Sequence, residues 1–280
     1  MHTYNTLWRQ LASVYAPGEA KAVVRYVLET AFGLSPADIY CGKADELPEA
    51  DSARLAAIMA RLQAAEPVQY VLGEAEFCGR LFKVGPGVLI PRPETEELCR
   101  WIAGSASSTR PAGQVLDLCS GSGCIGITLA LDLAGAEVTA WDISVEALET
   151  ASLNAARLGA QVSVARRDVL ALPSDSPQWD LMVSNPPYVC DSERGGMDRN
   201  VLDYEPECAL FVPDGDPLRF YHAIFAYARQ ALKAGGWLYF EINPLHKDAI
   251  WDTATDMDFK DIEFKADQFG RTRFMRGRKK

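Results

Sequence analysis

The 280-residue chain, with 48% hydrophobic and 24% charged side chains, is long enough to bury the cores of a large domain and a smaller one, and no apolar run approaches the ~20 residues of a membrane span. Its formal charge of −10 works against a bare phosphate backbone, so a basic protein is the expected partner and direct nucleic-acid binding is not expected. Seven cysteines without a CxxC pair and three scattered histidines, His2, His222 and His246, argue against a disulfide framework and against a metal site; the cysteines read as reduced small hydrophobes.

The opening MHTYNTLWRQ has neither the basic start nor the apolar stretch of a secretory leader, and a cytoplasmic location is expected. From Asn5 to Ala65 apolar residues recur at helical spacing: Leu7, Leu11 and Val14, then Val23, Val27, Leu28 and Phe32, then Leu55, Ile58 and Leu62. Gly33 suits a helix C-terminus, and Ser35-Pro36 and Ser52 suit helix starts. Residues 1–66 are therefore expected to form a small helical domain that docks or orients, or simply stabilises.

After Pro67 the pattern changes. Glu76-Phe77-Cys78 and Leu81-Phe82-Lys83-Val84 flank Gly79-Arg80 and predict a β-hairpin, making residues 67–90 a connector. In PRPETEEL, Pro93, Glu94 and Glu96 suit the first turn of a helix at the start of a domain over 91–280. From Gln114 strands and helices alternate. The strands are Val115–Leu118, Glu137–Trp141, Val162–Ala165, Leu181–Ser184 and Trp237–Ile242; helices follow from Cys124, from Ser144 and from Phe220. Such alternation calls for an α/β fold with a mostly parallel sheet, and ligands bind at the carboxyl ends of its strands. The basic tail, Arg276, Arg278, Lys279 and Lys280, reads as a frayed, solvated end.

Two stretches carry chemistry. In VLDLCSGSGCIG, Gly121, Gly123 and Gly126 fit G-x-G-x-x-G between a strand and a helix, where missing Cβ atoms let backbone N–H groups approach a ligand. A tight turn with no ligand is the plainer alternative. Asp142, about 20 residues on at the end of the next strand, can accept both hydroxyls of an adenosine ribose, or can cap the following helix. Asp117, two residues before the turn, repels a pyrophosphate but attracts an ammonium, which favours S-adenosylmethionine over a dinucleotide. Asp168 is placed either to meet the adenine amine or to serve as an ordinary loop acid.

The second stretch is SNPPYV. Each proline holds the residue before it extended, so the chain leaves its strand stiffly through Asn185, Pro186, Pro187 and Tyr188. Stiffness aims two acceptors, the Asn185 side-chain carbonyl and the Pro186 backbone carbonyl, at one point beside the face of Tyr188. That arrangement suits an NH2 group on an sp2 carbon, and a carboxylate would leave both acceptors unpaired.

With DLCSGSG, AWDIS and SNPPYV in this order, and with EPVQYVLGEAEFCGRLFKVGPGVLIPRPETEEL (66–98) and LDYEPECAL (202–210) around them, the chain resembles the protein-glutamine methyltransferases that modify peptide chain release factors. The resemblance implies the Rossmann-like α/β fold of class I S-adenosylmethionine-dependent methyltransferases with a seven-stranded sheet; a monomer is expected. It implies methyl transfer to the glutamine of a Gly-Gly-Gln loop, giving N5-methylglutamine and S-adenosylhomocysteine. By position, Asn185, Pro186 and Tyr188 would act on the glutamine amide, with Pro187 beside them. Asp117, Cys119, Ser120, Gly121, Ser122, Gly123, Asp142, Ile143, Asp168, Val169, Asn185 and Thr95 would hold the cofactor, with Glu94 near its methionine end. A ribosomal-protein glutamine or an exocyclic amine of DNA or RNA is the rival substrate. Three positions depart from the family pattern: Cys119 in place of glycine, Val169 in place of an aromatic, and Glu241–Pro244, EINP, in place of Glu-Ile-Gly.

Overall fold

The computed structural model describes residues 3–105 and 113–280, so His2 lies outside the described residues. Two compact units emerge: the chain up to Glu74 together with Asp198–Tyr204, and Ala75–Met197 together with Glu205–Lys280. No helix among the described residues is long and apolar enough to cross a membrane.

The first unit contains α1 (Tyr4–Gln10), α2 (Pro17–Phe32), α3 (Pro36–Tyr40), α4 (Glu49–Gln63) and α5 (Val68–Leu72). Helix α2 stops where Gly33 turns left-handed at φ 65°, and α3 starts on a capping box between Ser35 and Asp38, as the residue types dictate. Helix α4 starts three residues before the expected Ser52. Pro48 precedes it and Glu49 and Asp51 fill its positive first turn, while the Ser52 hydroxyl donates back to the Leu47 carbonyl at 3.1 Å. Leu7, Leu11, Val24, Val27, Leu28, Leu55 and Leu62 meet in one core. Residues 67–90, expected as hairpin alone, begin with α5; Arg61 donates to the Tyr70 and Val71 carbonyls at its end. Tyr204 belongs to this unit, its hydroxyl donating to the Ala64 carbonyl at 2.7 Å.

The chain passes into the second unit through β1 (Glu74–Phe77) and β2 (Arg80–Lys83). Their turn falls on Cys78 and Gly79, at φ 49° and 70°, one residue before the expected Gly79-Arg80. Two left-handed residues match the twist of a two-residue hairpin, and a β-branched or bulky pair could not supply them. Next come α6 (Pro93–Ser105), β3 (Gly113–Leu118), α7 (Cys124–Asp132), β4 (Ala136–Asp142), α8 (Val145–Leu158), β5 (Val162–Arg166) and β6 (Trp179–Ser184). The short pieces β7 (Val189–Cys190), α9 (Arg199–Leu202, in the first unit) and β8 (Phe211–Val212) precede α10 (Arg219–Ala231), β9 (Leu232–Glu241), α11 (Lys247–Asp256), β10 (Phe259–Ala266) and β11 (Thr272–Lys279).

Seven strands form one sheet in the order β10-β11-β9-β6-β3-β4-β5, with β3, β4, β5, β6 and β9 parallel and β10 and β11 antiparallel. Alternate residues of β3 enter opposite cores: Val115 joins Ile125 and Ile127 of α7, and Leu116 joins Phe225 and Ala228 of α10. Both faces are covered, as a parallel sheet requires. Register brings Leu118 level with Trp141 and Ser184, so β3, β4 and β6 end side by side. The chain runs to one side from β3 and returns on the other at β6, which places a ligand crevice at their carboxyl ends.

The basic tail is not a frayed end. Arg276, Arg278 and Lys279 lie on β11, inserted between β10 and β9, with Phe274 and Met275 fully buried. Arg276 pairs with Glu263 and lies over the Trp101 and Trp237 rings, Lys279 donates to the Leu232 carbonyl, and Lys280 pairs with Asp258. Cations on a strand lay their apolar stems along aromatic surface while their heads find acceptors.

Candidate active site

After β3 the chain turns through Cys119, Gly121 and Gly123, all left-handed at φ 59°, 53° and 78°. Glycine adopts that conformation at little cost; Cys119 does so at ~1–2 kcal/mol, which explains why glycine is usual at its position. Asn154 of α8 anchors the turn from behind, donating to the Ser122 and Lys83 carbonyls and accepting from the Lys83 N–H. Asp142 anchors it from the front: one carboxylate oxygen accepts from Gly121 N–H at 2.8 Å and the other from Ser144 N–H at 2.9 Å. Ser144 is the cap of α8, so Asp142 is not, and each of its oxygens keeps lone pairs for a ligand hydroxyl.

A cleft of about 240 Å³ opens over this turn. Thr95, Cys119, Ser120, Gly121, Ser122, Asp142, Ile143, Asp168, Val169 and Asn185 line it, so of the expected cofactor residues only Asp117 and Gly123 stand behind the wall. Asp168 is tied down locally, accepting from Leu170 N–H at 2.9 Å, while Val169 packs against the sheet. Asp117 is fully buried. One of its oxygens accepts from Gly126 N–H at 2.8 Å, and the other has no partner. Burial pushes its carboxyl up to about 7, against the pull of that N–H. The Ser120 and Ser122 hydroxyls are likewise buried without a partner. Two orphaned hydroxyls at the cleft floor, with an orphaned carboxylate oxygen behind its wall, fit a ligand that brings an ammonium and hydrogen-bonding groups of its own.

A second cavity of about 50 Å³ abuts the first, lined by Leu89, Arg92, Asn185, Pro186, Tyr188 and Glu241 among others. Asn185, Leu89 and Arg92 face both, so Asn185 stands at the seam, whereas Pro187 faces only the larger cleft and Glu94 neither. Ser184, the last residue of β6, donates to the Leu118 carbonyl at 2.7 Å and fixes the point from which Asn185 departs.

One wall of the small cavity is a carboxylate that the sequence noted without a role. Glu241 ends β9 and is buried; one oxygen accepts from the Thr95 hydroxyl at 2.6 Å and the other from the Tyr188 hydroxyl at 2.8 Å. Thr95 in turn accepts from the Asn185 side-chain NH2 at 3.3 Å. Burial raises the Glu241 carboxyl above its ordinary value, and burial beside Glu241 raises the Tyr188 phenol. Arg273 approaches the Tyr188 hydroxyl at 3.5 Å, and Asn243 donates to the Tyr188 carbonyl at 3.2 Å. Two further residues escaped the sequence reasoning. Glu205, within LDYEPECAL, accepts from Arg92 at 2.5 Å and from Ile90 N–H at 3.1 Å, clamping the PRPET segment that carries Thr95.

A doubly wound sheet, a glycine turn braced by an acid from the end of the next strand, and an adjoining pocket behind Asn185 define an S-adenosylmethionine-dependent methyltransferase of class I. Residues 105–199 match the family model described as methyltransferase small domain, and residues 7–73 that described as PrmC N-terminal domain. The fold is shared with a Thermus thermophilus 16S rRNA N2 G1207 methyltransferase solved with S-adenosylmethionine and guanosine, at TM-score 0.54 and 17% identity over 74% of this chain and 50% of that one. A release factor glutamine methyltransferase of Bacteroides thetaiotaomicron is 44% identical over 95% of both chains, and one of Flavobacterium psychrophilum is 36% identical over 98% of this chain and 97% of its own. The chain belongs to the release factor glutamine methyltransferase family.

Proposed function

We propose that this chain transfers the methyl group of S-adenosylmethionine to the side-chain amide nitrogen, N5, of the glutamine in the Gly-Gly-Gln loop of a peptide chain release factor, in the cytoplasm, acting as a monomer without a metal. The observation that carries this reading is the orientation of Asn185. Thr95 gives its only hydrogen to Glu241, so toward Asn185 it can only accept; the NH2 end of Asn185 therefore faces Thr95, and its carbonyl faces the cavities.

In this reading the larger cleft holds S-adenosylmethionine, which supplies an electrophilic methyl group on a cationic sulfur. Asp142 takes the ribose hydroxyls, Ser120 to Ser122 cradle the ligand, and Asp117 answers the ammonium. The glutamine amide enters the small cavity. Asn185 Oδ1 and the Pro186 carbonyl accept its two hydrogens, and the Tyr188 ring supports its plane. An amide nitrogen is a poor nucleophile because its lone pair is delocalised. Holding both hydrogens turns that lone pair toward the methyl carbon, and alignment of this kind lowers the barrier by up to ~7–11 kcal/mol. No strong base precedes attack, since the proton becomes acidic only after the nitrogen is methylated. A glutamate carboxylate would face the acceptors and the buried Glu241 with lone pairs, and is rejected.

With labelled cofactor, label is expected in a purified release factor and not in its Gln→Glu variant. Label entering only a ribosomal protein or an oligonucleotide would overturn the assignment.

The buried acid gives a second expected result. An acid raised from 3.8 to about 7 in the fold contributes stability that is lost as pH rises through that window, because the folded state binds the extra proton. An ammonium favours the ionised form. Cofactor binding at about pH 6.5 should therefore release most of a proton, and at about pH 9 almost none. Calorimetry in buffers of differing ionisation enthalpy measures this, and Asp117→Asn should abolish the release.

A further inference from the structure

We infer that Glu241 is a positioning and selectivity residue for the acceptor amide: from the end of β9 it sets, through Thr95, which end of Asn185 faces the substrate, and it holds the Tyr188 ring by the hydroxyl. The inference deepens the proposed function and rests on it. Its basis is a set of hydrogen bonds with one consistent direction. A carboxylate has no hydrogen to give, so both hydroxyls must donate to it, Thr95 at 2.6 Å and Tyr188 at 2.8 Å. With its hydrogen spent, Thr95 accepts the Asn185 NH2 at 3.3 Å. The Tyr188 oxygen, its own hydrogen likewise spent, is free to accept from Arg273.

Nothing else in the site imposes that direction. Among the described residues Asn185 makes one side-chain hydrogen bond, the one to Thr95, and rotating its amide by half a turn exchanges acceptor for donor at the seam of the two cavities. A donor there would meet the hydrogens of a glutamine amide and would welcome a carboxylate. Glu241 thus sits two hydrogen bonds from Asn185, the residue that grips the substrate amide, and through it selects the substrate; it also lines the small cavity, where its charge opposes an entering acid.

Glu241→Gln tests the direction with little change of shape. Placing the new NH2 toward Thr95 satisfies every group: Gln donates to Thr95, Thr95 then donates to Asn185 Oδ1, and Asn185 turns its NH2 toward the cavities, while Tyr188 still donates to the Gln oxygen. The opposite placement leaves the Tyr188 hydrogen without an acceptor, a costlier state for a buried hydroxyl. Expected for the variant is a fall in kcat of about a hundredfold or more, with KM for the release factor and cofactor affinity within about threefold, since the lost interaction is one of alignment. The preference for binding the glutamine release factor over its Gln→Glu variant, read by calorimetry, should shrink or invert. Adding Thr95→Val removes the hydroxyl that enforces the reversed direction, and the double variant should recover about tenfold in kcat over Glu241→Gln alone.

A merely structural carboxylate predicts otherwise. A variant with kcat within about threefold of the parent, or a double variant no faster than Glu241→Gln, overturns the inference. Parent turnover on the release factor is scored separately in the same assay. Its absence overturns the proposed function, whereas the variant-to-parent ratio bears on Glu241 alone.

Discussion

Replacing Asn185 by alanine is expected to lower turnover by more than about a hundredfold while cofactor affinity moves by less than about threefold, the pattern of a group that acts mainly in the transition state. A hundredfold corresponds to ~2.7 kcal/mol, which one well-aligned acceptor in a partly dry pocket can supply. The side chain contributes one wall to the larger cleft, whose floor, carboxylate and far side come from other residues. In the proposed reaction its contribution to the small cavity is different in kind, because there it supplies one of the two acceptors for the amide hydrogens. Truncation also leaves the Thr95 oxygen without its donor. Steady-state kinetics beside calorimetric titration of the cofactor separates the two effects, and undiminished turnover would remove Asn185 from the chemistry.

Gly123→Ala should be the more damaging change to stability, at ~2–4 kcal/mol: about 1 for a left-handed backbone and ~1–3 for overpacking. A Cβ at this position would lie 2.9 Å from Ile127 Cδ1, 3.0 Å from Ala151 Cβ and 3.3 Å from Ala151 Cα. The isoleucine tip can swing aside. The backbone of α8 cannot, and α8 also carries Asn154, which ties down the turn. Gly121→Ala is the matched control, since its backbone is equally left-handed at φ 53° but nothing lies within 4 Å of the added carbon. Denaturant unfolding should show Gly123→Ala clearly the less stable of the two. Equal midpoints would mean that α8 and the turn are not in tight contact.

The contrast between these glycines shows what local sequence can carry. G-x-G-x-x-G announces a turn but does not say which glycine is needed for dihedral freedom and which for space; that depends on α8, brought alongside by the sheet. Asn185 to Tyr188 could be read from covalent chemistry, because proline restricts its neighbours wherever it stands. Cys119 could be flagged by resemblance, and its left-handed φ now supplies the reason. Glu241 could not be read. Its role exists only because the end of β9 meets the first turn of α6, 146 residues earlier in the chain. The Arg92–Glu205 clamp, spanning 113 residues, was hidden for the same reason. The error over the basic tail was one of weighting: four cations outvoted Phe274 and Met275, although a strand with acceptors and aromatic rings on both flanks accommodates all of them.

That tail has a consequence for synthesis. Strand β11 follows β10 in the chain but lies between β10 and β9 in space. During translation the outer strand has nothing to pair with until residues 272–279 emerge from the exit tunnel. Up to that moment the edge of β9 is bare, and any strand-like segment nearby can add to it. A nascent chain stalled before residue 272 is therefore exposed to misassembly at that edge, even though every residue of the glycine turn and of the Asn-Pro-Pro-Tyr segment has already been made.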